Sequence, residues 1–236
     1  MQREVIILAG GFGKRLLDVV SDVPKCLAPI DGVPFLDYLI KYLQRYEISR
    51  FILSLGYKSD FVISYIKKFH PYIDVTFVIE DSPLGTGGAI KASLKEVRAK
   101  NVLVVNGDTF FNINLNSFYN EALTNQYPFS LALQRIEKNY RYGFVELDEK
   151  NEIIRFCEKQ ESNNVLINTG FYIINKDEVY FDTNKDVFSL ENDFFESDLR
   201  KIRLYGIEFN NEFIDIGIPK DFIRAQTLFK NLIINN

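Results

Sequence analysis

The stretch Val5-Ile6-Ile7-Leu8-Ala9-Gly10-Gly11-Phe12-Gly13-Lys14-Arg15-Leu16, followed by Pro24-Lys25, decides the fold of this chain. Its apolar first half reads as a buried strand. The strand ends in a cluster of glycines and then two cations. Glycine lets the backbone approach a ligand closely and adopt positive φ, and consecutive backbone N–H groups form an anion-binding concavity. Arg15 and Lys25 could add the positive charge that a triphosphate or pyrophosphate demands. A tight turn with solvated basic side chains is the plainer reading of the same residues. The spacing is not the dinucleotide pattern G-x-G-x-x-G. Nor is it a Walker loop, because Arg15 stands where Ser or Thr would follow Gly13-Lys14.

Outward from this strand, the first half alternates strands and helices. Val5–Ala9, Phe51–Leu55, Val75–Ile79 and Val102–Val105 read as strands. Pro34 opens an amphipathic run with Phe35, Leu36, Leu39, Ile40 and Leu43 at helical spacing. Phe61–Phe69 and Ala89–Val97 also read as helices. This order predicts an α/β fold, with a parallel sheet covered on both faces by helices. Ligands of such sheets bind beyond the carboxyl ends of the strands. Gly10–Arg15, Glu80–Gly88 and Asn106–Asp108 all follow strand ends and are expected to meet at one edge. In the second half, Phe129–Gln134, Gly143–Leu147, Ile153–Cys157 and Leu166–Ile174 read as strands. Ser189–Lys201 and Pro219–Leu232 read as helices. No repeat and no Gly-, Ser- or Pro-rich linker interrupts the chain. A single domain over 1–236 with a Rossmann-like mixed, mainly parallel sheet is therefore expected.

With 236 residues, 47% of them hydrophobic, the chain can bury a sizeable core. A net charge of −4 argues against a sequence-independent nucleic-acid binder. Cys26 and Cys157 have neither C-x-x-C spacing nor a histidine partner, which argues against a zinc site or disulfide framework. The single histidine, His70, precedes Pro71 at an apparent helix end and is expected at the surface rather than in catalysis. No apolar run reaches the ~18–20 residues of a membrane span, and the charged start at Arg3 and Glu4 does not read as a signal peptide. A cytoplasmic protein with no membrane or nucleic-acid partner is expected; a homo-oligomer stays open.

Two carboxylates stand out. Asp108 follows the apolar run Val102–Val105 within Asn106-Gly107-Asp108, well placed for a hard cation that prefers oxygen ligands. An Asx turn closing the strand is the plainer reading. Asp215 follows Phe213-Ile214 and precedes a helix opening near Pro219. The loop Glu80-Asp81-Ser82-Pro83-Leu84-Gly85-Thr86-Gly87-Gly88-Ala89 carries two further acids, Glu80 and Asp81, whose plainer reading is a solvated loop charge.

Taken in order, these motifs resemble the sugar-nucleotide pyrophosphorylases, which join a nucleoside triphosphate to a sugar 1-phosphate. Leu8 to Leu16 and Pro24-Lys25 match that family's L-A-G-G-x-G-x-R-L and P-K. Asp215-Ile216-Gly217-Ile218-Pro219 resembles D-x-G-T-P, with Ile218 in place of Thr. Glu158-Lys159 resembles E-K-P, with Gln160 in place of Pro. Gly143 and Asn168-Thr169-Gly170 match the segments that line the family's sugar pocket.

The resemblance covers nearly the whole chain and implies a GT-A-like nucleotidyltransferase fold. Residues 1–110 would mainly bind nucleotide and 111–236 mainly sugar phosphate. Leu8, Ala9, Gly10, Gly11, Gly13, Arg15, Lys25, Glu80, Asp81, Gly85 and Thr86 would bind the nucleotide. Asn106, Gly143, Glu158, Lys159, Asn168 and Gly170 would bind the sugar phosphate. Arg15, Lys25, Asp108, Lys159 and Asp215 would be catalytic, with Mg²⁺ on Asp108 and Asp215. The Pro83–Ala89 loop and the compact chain look most like the heptose 1-phosphate guanylyltransferases, implying GTP and a heptose 1-phosphate as substrates. Glu80, or else Asp81, would then accept the paired N1–H and amino donors of guanine, an edge that uracil and thymine lack. Mannose 1-phosphate guanylyltransferases and N-acetylmuramate 1-phosphate uridylyltransferases are close alternatives. A sugar-nucleotide-binding regulator that has lost catalysis belongs to a different class. Retention of Arg15, Lys25, Asp108 and Asp215 argues against it.

Overall fold

The computed structural model describes residues 3–13, 20, 22–157, 160–181, 185–195 and 202–234. Strand β1 (Arg3–Ala9) lies at the centre of a nine-stranded sheet. On one side it pairs in parallel with β4 (Ile48–Leu55), which pairs in parallel with β5 (Asp74–Ile79). On the other side it pairs in parallel with β6 (Asn101–Asn106). The chain thus steps outward from β1 in one direction, then returns to the opposite side. That reversal is a topological switch point, where α/β sheets open a crevice at the strands' carboxyl ends.

Alternation along β1 fills two cores. Val5 and Ile7 face one layer, and Ile6 faces the other. Each such fully buried side chain contributes about 1.5–3 kcal/mol relative to exposure. The first layer holds α1 (Phe35–Gln44), α2 (Ser59–Phe69) and α4 (Leu115–Thr124). Helix α5 (Pro219–Ile234) also packs there, through Phe222, Ala225 and Phe229. The second layer holds α3 (Gly85–Leu94) and a π-helical turn at Leu190–Phe195. The expected α/β sheet with helices on both faces is the observed architecture. Among the described residues no helix is long and apolar enough to cross a membrane.

Strands of the second half join the same sheet. The long β11 (Ser162–Asn175) pairs antiparallel with β6 and with β8 (Phe129–Asn139). It also pairs with β9 (Phe144–Leu147), which forms a hairpin with β10 (Ile153–Cys157). Strand β12 (Leu204–Phe209), which the pattern reading passes over, pairs in parallel with β8. The pattern reading also passes over helix α4, although Leu115, Phe118, Tyr119 and Ala122 are buried at helical spacing. Two short antiparallel pairs stand apart: β2 (Pro29–Ile30) with β3 (Val33–Pro34), and β7 (Thr109–Phe111) with β13 (Phe213–Asp215).

Three expectations are corrected. The helix expected at Ala89–Val97 begins at Gly85 and ends at Leu94, so half of the glycine loop is a helical first turn. Glycine costs about 1 kcal/mol in a helix interior, but here packing overrides propensity. Phe188 lies against this turn, and its carbonyl accepts the Gly87 and Gly88 N–H groups at 3.1 and 3.2 Å. A Cβ on Gly87 would strike the Phe188 ring. Secondly, the helix expected at Ser189–Lys201 is a π-helical turn in its described part, with 196–201 outside the described residues. Thirdly, His70 is not free at the surface. Its Nε2 lies 2.8 Å from Asp37 Oδ1, and Tyr65 donates to Asp37 Oδ2 at 2.9 Å.

Candidate active site

Three chain segments meet at the switch point. The turn after β1, the loop and first turn of α3, and Asn106-Gly107-Asp108 after β6 line one cleft of about 390 Å³. Of the expected nucleotide-binding residues, Leu8, Ala9, Gly10, Gly11, Gly13, Lys25, Glu80, Gly85 and Thr86 line it. Asp81 does not: it lies on an exposed turn outside the cleft wall. Arg15 lies outside the described residues. A second cleft, also of about 390 Å³, is lined by Asn106, Gly143, Asn168 and Gly170 of the expected sugar-side set. Glu158 and Lys159 lie outside the described residues. The two clefts share Thr86, Asn106 and Asp108, so they meet across one wall. Thr86 therefore reaches the second cleft from the first half, and Gly217 reaches the first from the second half.

The ribbon of β7 and β13 joins the two expected carboxylates. It sets Asp215 opposite Thr109, and the Ile216 N–H donates to the Asp108 carbonyl at 3.0 Å. Their side chains converge on a single cation. The Lys25 ammonium donates to Asp108 Oδ2 and lies 3.9 Å from Asp215 Oδ1. Gly217 makes this approach feasible. A Cβ there would meet Asp215 Oδ1 at 2.6 Å and Lys25 Nζ at 2.7 Å. Burial, and then the charge of Asp108, pushes the Asp215 carboxyl above the usual carboxylate range, against the opposing pull of Lys25 and Arg141.

No motif in the sequence points to Arg141. It lies just before Gly143, in the segment Asn139-Tyr140-Arg141-Tyr142. Its Nη2 lies 3.1 Å from Asp215 Oδ2, and its Nη1 lies 2.7 Å from Asp221 Oδ2 in the first turn of α5. The planar guanidinium thus holds the outer oxygen of Asp215 while Lys25 approaches the inner one. An arginine next to a Tyr-Gly pair carries no spacing signal of its own, so only the fold reveals this contact.

Glu80 is held by two donors. Its Oε1 accepts the Ser54 hydroxyl at 3.0 Å, and its Oε2 accepts the Leu84 N–H at 3.0 Å. Each oxygen keeps a further lone pair for a ligand in the first cleft. Asn168 is likewise preset. It donates to the Tyr172 hydroxyl at 2.9 Å and accepts the Gly170 N–H at 3.1 Å.

Cys26 lines the first cleft but is buried, and burial pushes its thiol up to about 12. At pH 7 the thiolate fraction is then about one in 10⁵, and only the thiolate is nucleophilic. Native protein treated with iodoacetamide at pH 7 is expected to leave Cys26 unmodified by mass spectrometry, whereas urea-unfolded protein is alkylated. Rapid native labelling would contradict this.

The chain resembles known proteins along nearly its full length. A family model described as Nucleotidyl transferase matches residues 4–231. The chain is 39% identical to D-glycero-alpha-D-manno-heptose 1-phosphate guanylyltransferase of Aneurinibacillus thermoaerophilus, over 98% of this chain and 100% of the relative. It is 38% identical to the protein of the same name from Campylobacter jejuni, over 93% of this chain and 96% of the relative. Among solved structures, HddC from Yersinia pseudotuberculosis complexed with GMP-PN is 37% identical, with a TM-score of 0.85, covering 97% of this chain and 100% of that one. With the glycine loop at the switch point and paired aspartates beyond it, the chain belongs to the nucleotidyl transferase family.

Proposed function

We propose that this chain transfers a guanylyl group from GTP to D-glycero-α-D-manno-heptose 1-phosphate, giving GDP-heptose and pyrophosphate. The observation that carries the reading is the shared wall. Two clefts meet at Thr86, Asn106 and Asp108, as a two-substrate displacement requires. The names of the Aneurinibacillus and Campylobacter relatives and the GMP-PN complex of the Yersinia protein support the choice of substrates.

In this reading residues 1–236 act as a single cytoplasmic domain. The sugar phosphate oxygen attacks the α-phosphorus, and pyrophosphate leaves in line. Such chemistry needs mainly positioning and charge neutralisation from the protein. The glycine turn after β1 receives the triphosphate, with Lys25 and Arg15 neutralising it, and Glu80 faces the base. The second cleft receives the sugar 1-phosphate, with Lys159 at its phosphate. Asp108 and Asp215 suit Mg²⁺, because two carboxylates already gather round one cation, the Lys25 ammonium. Among the described residues no cluster of three or more His, Cys, Asp or Glu adds to them. Mg²⁺ typically takes one or two carboxylates, keeps several waters and binds substrate phosphates. When bound, the ion supplies positive charge at the reacting phosphate. Arg141 keeps the Asp215 carboxylate in place.

The test is a matrix of GTP, ATP, UTP and CTP against heptose, mannose and N-acetylmuramate 1-phosphates, read by pyrophosphate release with and without EDTA. The expected result is the highest rate for GTP with the heptose, abolished by EDTA. A preference for UTP would overturn the guanine assignment. A preference for mannose with GTP would overturn the heptose alone. No release with any pair would favour a binding protein.

Glu80→Gln tests the base contact separately. The amide can still accept the Leu84 N–H through its oxygen and donate to Ser54 through its nitrogen, so the loop is expected to hold. It then turns a donor toward guanine's donors. The preference of GTP over UTP in kcat/KM is expected to fall about tenfold, the scale of one charged hydrogen bond. An unchanged ratio would remove Glu80 from base recognition.

A further inference from the structure

The π-helical turn at Leu190–Phe195 brings a carboxylate into the second cleft that no motif in the sequence announces. Ser189, Glu191 and Asn192 line that cleft together with Asn168 and Gly170. Glu191 is held from one side only. Its Oε2 accepts the Thr86 hydroxyl at 2.7 Å and the Ser189 hydroxyl at 3.0 Å. Those hydroxyls are themselves fixed. Thr86 Oγ1 accepts the Leu190 N–H at 2.8 Å, and Ser189 Oγ accepts the Asn192 N–H at 3.2 Å. Oε1 receives no hydrogen bond from any described residue. An ionised carboxylate can only accept, so this oxygen is open to a donor from a bound ligand. π-Helical turns recur at functional sites.

Charge orients the ligand. A phosphate cannot lie against Glu191 without like-charge repulsion. In the proposed function the phosphate is met by Lys159, while Arg141 in the same cleft is held by Asp215 and Asp221. A sugar 1-phosphate therefore turns its hydroxyls, not its phosphate, toward Glu191. We infer that Glu191 is a sugar-binding residue that sets substrate specificity: its Oε1 accepts a hydrogen bond from a hydroxyl of the heptose distant from C1. This rests on the proposed function, because it takes the second cleft as the sugar site. Thr86 belongs to the first turn of α3, which also lines the first cleft, so the same threonine that holds Glu191 touches both substrate spaces.

The experiment compares wild type, Glu191→Gln and Glu191→Ala. Initial rates are taken with GTP and heptose 1-phosphate, and then with a series of singly deoxygenated heptose 1-phosphates. The expected result is a rise of about tenfold or more in the KM for the sugar phosphate in both variants, the scale of a hydrogen bond to a charged group. The KM for GTP should stay within about twofold, a difference too small for a lost hydrogen bond. With the one deoxy analogue that lacks the partner hydroxyl, wild type and variants should converge. That convergence is a signature that mere loosening of the turn would not produce. An unchanged sugar KM, or a penalty that persists with every analogue, overturns the inference while leaving the proposed function standing. If wild type turns over no heptose 1-phosphate, the proposed function fails, and this inference with it.

Discussion

Asp108→Ala and Asp215→Ala are each expected to lower turnover by about 10²-fold or more, the loss that follows removal of one preorganised electrostatic contact at a reacting phosphate. The two carboxylates stand 107 residues apart in the sequence and are joined by the β7–β13 ribbon. Each faces the same ammonium of Lys25. Removing either leaves a single carboxylate to hold a divalent cation, and leaves Lys25 facing the survivor. The remote hydrogen bonds of Glu80, Asn168 and Thr86 stay intact, so substrate binding should suffer less than turnover. Single-turnover rates at saturating substrates check this, with circular dichroism to confirm folding. Near-normal cation-dependent rates in both variants would sink the assignment of these aspartates.

The second large effect concerns stability, at the opposite end of β1. Arg50→Ala is expected to cost about 3–5 kcal/mol, the usual loss when one partner of a buried ion pair is removed. Arg50 and Glu4 are 2% and 1% exposed. The guanidinium reaches Glu4 Oε1 at 3.3 Å, the Glu96 carbonyl at 2.8 Å and Thr76 Oγ1 at 2.9 Å. Glu4 Oε2 accepts the N–H groups of Arg98 and Ala99 at 2.7 and 3.0 Å. Four segments are thus tied together beside the start of β1. Deleting the arginine strands a buried carboxylate and frees a backbone carbonyl. Urea unfolding at neutral pH measures the loss. A change below about 1 kcal/mol, the range of exposed pairs, would show that the network is not stabilising.

Both predictions rest on residues whose importance was unequally visible. Asp108 and Asp215 could be singled out because each follows an apolar run, a local pattern. Glu4 reads as a charge at the chain start, and no pattern in the sequence singles out Arg50. Their mutual burial depends on the parallel register that sets Glu4 opposite Arg50. Arg141 and Glu191 escaped for the same reason. Each is a single charged residue in an unremarkable segment, and each acquires a role only from what lies across from it.

By itself the sequence determined the alternation of strands and helices, the glycine turn after β1 and the placement of three ligand-facing segments at strand ends. Those features are local: they follow from periodicity, from the conformational freedom of glycine and from the chemistry of the side chains nearby. Only the tertiary structure decided that Asp108 and Asp215 share one cation, that the glycine loop is a helical turn seated on Phe188, and that Glu191 faces the second cleft. These contacts join residues far apart in the chain. They depend on strand register and on packing between layers, which no short stretch of sequence encodes.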